Sequence, residues 1–456
     1  MITIVEPEKN IMNLWGKQSA LRHGSDFRLM KYILKVDCED GLLLHNVVTG
    51  QLVLLSQLEA DILDHLPARY SEVIKQLVDA FYLVPNDFDE HRQVVNTRII
   101  LRKLDASRQR KEFNHYVILP TTACNARCYY CFEQGVQIIT MSEQIANDIV
   151  KFIEDHYITN NQISIMWFGG EPTVAAHRIN QILEGLRAKG IKYRSTMVSN
   201  AFLFDKDMVD KAKTLWNLKR IQISVDGIEK TYNKVKNYKN NKENAYERVL
   251  HNVGLLIDNE IFVDLRMNFD LSTYSEFEKL LDEVAVRYPS NKYLQVYAFP
   301  VIGEYVDHNG NLRHGDDKWL NDTTVRLNNL ARKRGLYHSK NELPKLSYHG
   351  CGADDDHAVT INARGLLVEC PERFEDDQRV GSVTEGITDL ITVQSWKEVA
   401  DHHKCIDCIF FPRCFRLRKC SAGDRCYFQD RNLQFYEAVK NKYFDWKVKS
   451  NLSRRN

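Results

Sequence analysis

The 456-residue chain has almost no net charge: 62 basic side chains face 61 acidic ones. That balance removes the bulk attraction on which nucleic-acid and anionic-membrane binding rest, so neither partner is expected. Long apolar runs are missing too. Stretches such as GLLLHNVV around Leu43 fall well short of the roughly 20 residues that span a bilayer. The opening residues, MITIVEPEKN, show no basic segment followed by an apolar one, as a secretory signal would. A cytoplasmic location is therefore expected. Residues 1–105 hold no cysteine cluster, and Cys38, in a polar turn between strands, reads as a free thiol.

Ten of the eleven cysteines fall in two clusters. In a cytosolic setting, clustered thiols point to metal ligation rather than disulfides. Cys124, Cys128 and Cys131 form C-x3-C-x2-C directly after the apolar run YVILP. This spacing is too tight for tetrahedral zinc, whose ligands come as two separated pairs. It suits three corners of an iron–sulfur cube, which wants four thiolates, and so leaves one iron open. The second cluster comprises Cys351, Cys370, Cys405, Cys408, Cys414, Cys420 and Cys426. Seven thiols exceed one tetrahedral site, although a zinc ribbon over 405–426 is the alternative.

Residues 1–105 begin β-rich, with KYILKVD at 31–37 and a second run at 41–55 broken by Thr49-Gly50. Ser56 and Glu59 then form a capping box ahead of Leu58, Ile62 and Leu66, and Ser71 opens a second helix carrying Val73, Ile74, Leu77 and Val78. From 112 to 310 strands and helices alternate. Strands are expected at 116–119, 163–168, 192–198, 220–225, 262–268 and 294–299, with helical patterns after Ser142 and before Gly190. Six such repeats imply a parallel sheet whose chemistry gathers at the C-terminal strand ends. A polar helical linker at 311–340 leads to a cysteine-rich domain at 341–456. Its basic tail, KNKYFDWKVKSNLSRRN, is expected to be a solvated terminal helix and coil.

The cysteine loop, with Tyr130 just before its third cysteine, and Gly169-Gly170-Glu171 at the end of the second strand resemble the radical S-adenosylmethionine (SAM) superfamily. The resemblance implies an α/β fold: a (β/α)6 partial barrel with a small N-terminal winged-helix-like α+β module and a C-terminal iron–sulfur domain. It places a 4Fe–4S cluster on Cys124, Cys128 and Cys131, with the SAM amine and carboxylate on the open iron. SAM-contacting positions then fall at Tyr130, Gly169, Gly170, Glu171, Asn200 and Ser224, with Glu171 and its strand edge holding the ammonium. Ser199-Asn200 stands where the family reads TNG, with Ala201 replacing the glycine, and Ser224-Val225-Asp226-Gly227 matches S-x-D-G. Asn200 and Ser224 read equally as helix caps. The family's downstream arginine for the SAM carboxylate is missing, and Lys236 offers a stand-in.

The C-terminal cysteines resemble a SPASM domain. Gly365 and Cys370 reproduce G-x4-C, and Cys405, Cys408 and Cys414 reproduce C-x2-C-x5-C, while Cys420 follows after five residues rather than three. By position, one auxiliary 4Fe–4S cluster takes Cys351, Cys370 and Cys420, and the other takes Cys405, Cys408, Cys414 and Cys426. With SAM, the expected cofactors are three [4Fe-4S] clusters. The cysteine usual before Cys351 is absent, which leaves an iron open or filled by His349 or Asp354; His402 and His403 read as a surface pair. Residues 1–105 resemble the RiPP recognition element, which binds the leader of a ribosomal precursor peptide. The implied activity is reductive cleavage of SAM to a 5′-deoxyadenosyl radical, hydrogen abstraction from that peptide, and an oxidative thioether or C–C crosslink. An electron donor such as flavodoxin or ferredoxin would feed it. The alternatives are a sulfatase-type formylglycine maturase and a non-catalytic iron–sulfur scaffold. The former is weakened because Pro371, not an acid, follows Cys370, with Glu372 one place later.

Overall fold

The computed structural model describes residues 2–7, 15, 26–66, 71–106, 113–158, 161–239, 243–289, 291–307, 310–314, 317–337, 343–374, 376–399, 405–415, 417–419 and 432–453. They form two compact units, one combining 1–108, 339–350 and 399–456, the other 109–338 and 351–398. The cysteine-rich stretch from 341 onward therefore contributes to both. Among the described residues no helix is long and apolar enough to cross a membrane.

The first unit holds β1 (Thr3–Glu6), β2 (Phe27–Leu29), β3 (Ile33–Cys38), β4 (Gly41–Asn46) and β5 (Leu52–Leu55). Four of these make an antiparallel sheet in the order β1-β5-β4-β3. Alternate side chains serve two cores. Ile33, Leu44 and Val53 pack with Ala60 of α1 (Gln57–Asp64) and with Ile74, Leu77 and Val78 of α2 (Glu72–Asp79). Leu34, Val36, Leu43 and Leu52 pack with Phe410, Val439 and Tyr443. Burial of both faces explains why these strands read as nearly continuous apolar runs. Both expected helix starts form: Ser56 and Glu59 close a capping box, and Ser71 accepts from the Ile74 N–H. β6 (Leu83–Pro85) pairs with β2, and α3 (Glu90–Ala106) follows.

The basic tail departs from its expected solvation. It belongs to the helix Asn432–Ser453, which buries Val439 and Tyr443 against the sheet. Its lysines meet acids of the N-terminal strands: Lys442 lies 2.9 Å from Glu6, and Lys447 lies 2.8 Å from Asp40 and also pairs with Glu39. A run of positive charge looks solvated only while its partners, more than 390 residues earlier, are unseen.

The second unit carries β7 (His115–Ile118), β8 (Gln162–Trp167), β9 (Lys192–Ser199), β10 (Leu218–Val225), β11 (Phe262–Phe269) and β12 (Leu294–Pro300). They lie side by side, all parallel, in chain order. Helices α4 (Glu143–Asp155), α5 (Ala176–Ala188), α6 (Lys206–Thr214), α7 (Glu229–Lys236), α8 (Ala245–Asp258) and α9 (Phe277–Arg287) are interleaved with them. A short hairpin, β13 (Glu304–Val306) and β14 (Leu312–His314), and α10 (Asp317–Lys333) come next. The sheet continues past β7 through β15 (Ala358–Ile361), parallel to it, and then antiparallel through β16 (Leu366–Val368), β17 (Arg379–Ser382) and β18 (Gly386–Ile387).

The two faces of the parallel strands differ. Ile165, Trp167, Ile223, Val225, Leu265 and Met267 are fully or almost fully buried in one core with the apolar sides of the helices. The alternate positions, among them Ser164, Met166, Thr196, Gln222, Ser224, Arg266 and Tyr297, are only partly buried. Parallel sheets are ordinarily apolar on both faces. Here one face is instead largely polar and only partly covered.

Candidate active site

The cysteine loop leaves the C-terminal end of β7 and packs against the turn that ends β8. Gly170 N–H donates to Thr121 O (3.1 Å) and Glu171 N–H to Ala123 O (2.9 Å). A Cβ on Gly169 would sit 2.5 Å from Thr121 O, and one on Gly170 2.5 Å from Ala123 O. Gly169 also holds φ of +112°, a conformation that glycine alone adopts cheaply. The glycine pair is thus required for close approach to the cysteine loop itself.

Cys124, Cys128 and Cys131 are free thiols, each partly covered. Burial pushes Cys124 up to about 12 and raises Cys128 and Cys131 as well. Bare thiolates are disfavoured there, so a bound cation is what would keep the sulfurs ionised. Donors are already aimed at one of them: Ala126 N–H lies 3.4 Å from Cys124 Sγ and Asn200 Nδ2 lies 3.9 Å from it. Donors aimed at sulfur are the usual surroundings of an iron–sulfur cluster, and this donor set fits one. Among the described residues no three Cys, His, Asp or Glu side chains gather closely enough for a single metal ion, which thiolates on separate cubane corners need not do.

Glu171 is buried and its carboxylate is occupied. Oε1 accepts from Thr173 N, Thr173 Oγ1 (2.5 Å) and Ser199 Oγ (2.8 Å), and Oε2 accepts from Asn200 N (2.7 Å). It ties the ends of β8 and β9 together, which leaves little acceptor capacity for the SAM ammonium. Asn200 in turn donates from Nδ2 to Asn125 Oδ1 (2.7 Å) inside the cysteine loop, and its Oδ1 accepts from Phe202 N–H (3.0 Å).

The second set of polar groups centres on Asp226 and was not read as a unit in the sequence. Tyr130 OH donates to Asp226 Oδ1 at 2.5 Å, and Asn268 Nδ2 donates to the same oxygen (3.0 Å) and to Tyr130 OH (2.8 Å). Lys236 Nζ makes an ion pair with Asp226 Oδ2 at 2.9 Å and donates to Ser224 Oγ at 2.7 Å. Burial alone would lower the lysine, yet the neighbouring Asp226 carboxylate raises it well above its ordinary value. Lys236 is therefore committed to Asp226, and Ser224 is engaged by Lys236. The signal for Asn268 was available: Asp264, Arg266 and Asn268 alternate with apolar residues along β11, marking the polar face of a strand. Backbone bonds from Arg127 N–H to Lys236 O (2.8 Å) and Lys239 N–H to Asn125 O (2.9 Å) fasten the loop to the end of α7.

Of the remaining candidates, Cys351 and Cys370 belong to this same unit. Burial pushes Cys370 up to about 11. Asp354 accepts from the Cys351 N–H at 3.2 Å, capping the short helical turn Gly352–Asp354. Cys405, Cys408 and Cys414 lie in the other unit, on successive tight turns: Cys408 N–H bonds Cys405 O and Cys414 N–H bonds Phe410 O. Arg98 of α3 gathers that loop, donating to the carbonyls of Phe411 (2.6 Å), Pro412 (3.0 Å) and Cys414 (2.7 Å). Cys420, Cys426, His402 and His403 lie outside the described residues.

Residues 118–284 match the model of the Radical SAM superfamily. This stretch is a radical SAM domain. The match begins on β7 and takes in the cysteine loop, Gly169-Gly170-Glu171, Asn200, Ser224 and the Asp226 network; the family as a whole binds SAM and a [4Fe-4S] cluster. The chain is 25% identical to GTP 3′,8-cyclase of Trichodesmium erythraeum (strain IMS101) over 262 residues, 54% of this chain and 78% of that protein. It is 22% identical to the radical SAM cyclopropyl synthase TigE of Paramaledivibacter caminithermalis over 238 residues, 48% of each. Among solved structures, anSMEcpe with bound AdoMet aligns at a TM-score of 0.54 and 16% identity, covering 73% of this chain and 98% of that one. Streptococcus suis SuiB aligns at 0.50 and 16%, covering 85% and 94%. At these identities the two structures show a shared fold around the radical SAM domain.

Proposed function

We propose that the chain is a radical SAM enzyme that modifies a ribosomally made precursor peptide, abstracting hydrogen and closing an oxidative thioether or C–C crosslink. The observation that carries this reading is the edge of the N-terminal sheet. β3 pairs with β4 and has no second neighbour among the described residues, and it exposes Lys35 and Asp37. Such an edge accepts an extended peptide as an added strand, while its charges discourage pairing with a second copy. Residues 1–105 would bind the leader in this way. Peptide substrates are in keeping with the neighbouring folds: anSMEcpe has been solved with a Cp18Cys peptide and SuiB with the precursor peptide SuiA.

Cys124, Cys128 and Cys131 would hold the cluster that, once reduced, supplies the electron for SAM cleavage. Tyr130, Gly169, Gly170, Glu171, Asn200 and Ser224 shape the surroundings of that loop, Glu171 by locking two strand ends rather than by direct contact. Cys351, Cys370 and Cys420, and Cys405, Cys408, Cys414 and Cys426, would hold two auxiliary clusters able to take up the electrons released in crosslinking. The similarity to anSMEcpe supports a second reading, peptide oxidation to formylglycine.

The test is anaerobic turnover of reconstituted protein with SAM, a chemical reductant and a short peptide encoded beside its gene. The reading expects 5′-deoxyadenosine coupled to loss of a pair of hydrogens from the peptide, abolished by Cys124→Ala and by deletion of the leader. Formylglycine in a sulfatase peptide, with turnover indifferent to the leader, would replace it with the second reading. A protein that cleaves no SAM would be a scaffold.

A further inference from the structure

Arg220 of β10 and Arg266 of β11 stand on the polar face of the parallel sheet, and Lys236 ends α7 beside the cysteine loop; of these three cations two are matched. Arg220 of β10 forms a close ion pair with Asp264 of β11, its Nη2 lying 2.6 Å from Oδ1. Lys236 pairs with Asp226 at 2.9 Å. The third, Arg266, has no hydrogen bond or ion pair among the described residues. Its Nε is closed off from solvent without an acceptor. Its guanidinium lies over the ring of Phe299, 4.9 Å from the centroid.

The register fixes where this charge sits. Arg266 stands between Ser224 of β10 and Tyr297 of β12, two residues along β11 from Asn268, which bonds Tyr130 in the cysteine loop. The carboxylates on either side along the sheet, Asp226 and Asp264, each already answer a cation. Tyr297 OH, on the neighbouring strand, donates to Gln222 Oε1 at 2.8 Å. A half-buried guanidinium with a desolvated, unsatisfied donor is unfavourable as it stands, and an anion delivered to this face would reverse that.

We propose that Arg266 determines specificity by binding a carboxylate of the peptide substrate beside the site of hydrogen abstraction. The proposal rests on the peptide-modifying reading above. One guanidinium fits one carboxylate in a two-pronged pair, whereas a polyphosphate needs several free cations. The surroundings agree with a peptide: Leu271, Phe299 and Ile302, all exposed, follow one another at the C-terminal ends of β11 and β12, an apolar rim for the side chains next to the acidic group.

The experiment uses the reconstituted holoprotein with SAM bound and three probes: an acetylated, amidated Phe-Glu-Phe tripeptide, its neutral Phe-Gln-Phe counterpart, and Phe-Gln-Phe with a free C-terminal carboxylate. Calorimetry should show at least one carboxylate probe binding about tenfold more tightly than the neutral one, the scale of a charge-assisted hydrogen bond. Which of the two gains tells a side-chain carboxylate from a terminal one. Arg266→Gln should erase the preference and Arg266→Lys should retain part of it. Equal binding of charged and neutral probes by the unaltered protein would overturn the proposal while leaving peptide modification intact. Loss of SAM affinity in Arg266→Gln, with peptide preference preserved, would overturn it by assigning the arginine to SAM. If no peptide binds and GTP does, the peptide reading falls and this inference with it.

Discussion

Lys236 Nζ, on the last residue of α7, lies 2.9 Å from Oδ2 of Asp226, the residue that follows β10, with both side chains 2% exposed. Breaking such a pair leaves a charge stranded away from water, which typically costs about 3–5 kcal/mol. Lys236→Met and Asp226→Asn should each destabilise the second unit on that scale in urea unfolding followed by circular dichroism. The double variant should recover much of the loss, because its remaining polar groups are neutral. Strictly additive losses would mean that the two charges do not sense one another.

Ala201 occupies the position where a glycine was expected and holds φ of +57°. Its N–H bonds Ser199 Oγ at 2.9 Å and its carbonyl accepts from Asn252 Nδ2 at 2.9 Å, so the left-handed conformation is imposed from both sides. A Cβ in this region is strained, and relief is partly offset by the greater freedom of glycine in the unfolded chain. Ala201→Gly should stabilise the protein by about 0.5–1 kcal/mol, read as a raised thermal midpoint. A lowered midpoint would show that packing of the methyl group outweighs the strain.

These two sites show what the sequence discloses and what it hides. Ser56, Ser71 and Ser142 were readable as helix starts because a cap acts on the N–H groups two or three residues away, and each side chain accepts from the expected helix N–H. The six parallel strands were readable because their buried face repeats with a period of two. β15 was not: it is a four-residue AVTI segment whose pairing with β7 spans more than 240 residues. The pairing of Lys236, the last residue of α7, with Asp226 was not legible either, since nothing local says that its side chain reaches back to the end of β10.

His45 on β4 is fully buried, with Nε2 2.7 Å from Pro344 O. Burial pushes it down to about 4. A histidine whose folded value is depressed binds its proton more readily unfolded, so folding is fully stable above about pH 6.5 and weakens as pH falls toward 4. The loss across that window should approach about 3 kcal/mol, at 1.36 kcal/mol per pH unit. His45→Gln should flatten the slope of unfolding free energy against pH between 6.5 and 4. An unchanged slope would assign the acid sensitivity elsewhere.

Iron content separates the cysteine clusters. Three cubanes correspond to about 12 iron atoms per chain, and replacing Cys124, Cys128 and Cys131 together by alanine should leave about 8. About 4 iron atoms in the unaltered protein, with zinc beside them, would make the C-terminal cysteines structural.

Arg98 supplies the sharper test of the Cys405–Cys414 loop. Only 6% exposed, it donates to four backbone carbonyls, those of Ser347, Phe411, Pro412 and Cys414, and packs over the rings of Phe411 and Phe415. Burial draws it down to about 10, still charged at neutral pH. Arg98→Met would strip four carbonyls of their donor while keeping much of the side-chain volume. Each buried acceptor left unsatisfied costs about 1–3 kcal/mol, enough to loosen the turns that present Cys405, Cys408 and Cys414. The variant should lose about 4 iron atoms per chain if one cubane sits on that loop, while the iron held by Cys124, Cys128 and Cys131 stays, since those residues belong to the other unit. Arg98→Lys, charged but able to reach fewer carbonyls at once, should fall between. Full iron in Arg98→Met would show that the loop is held by its cluster rather than by the helix beside it.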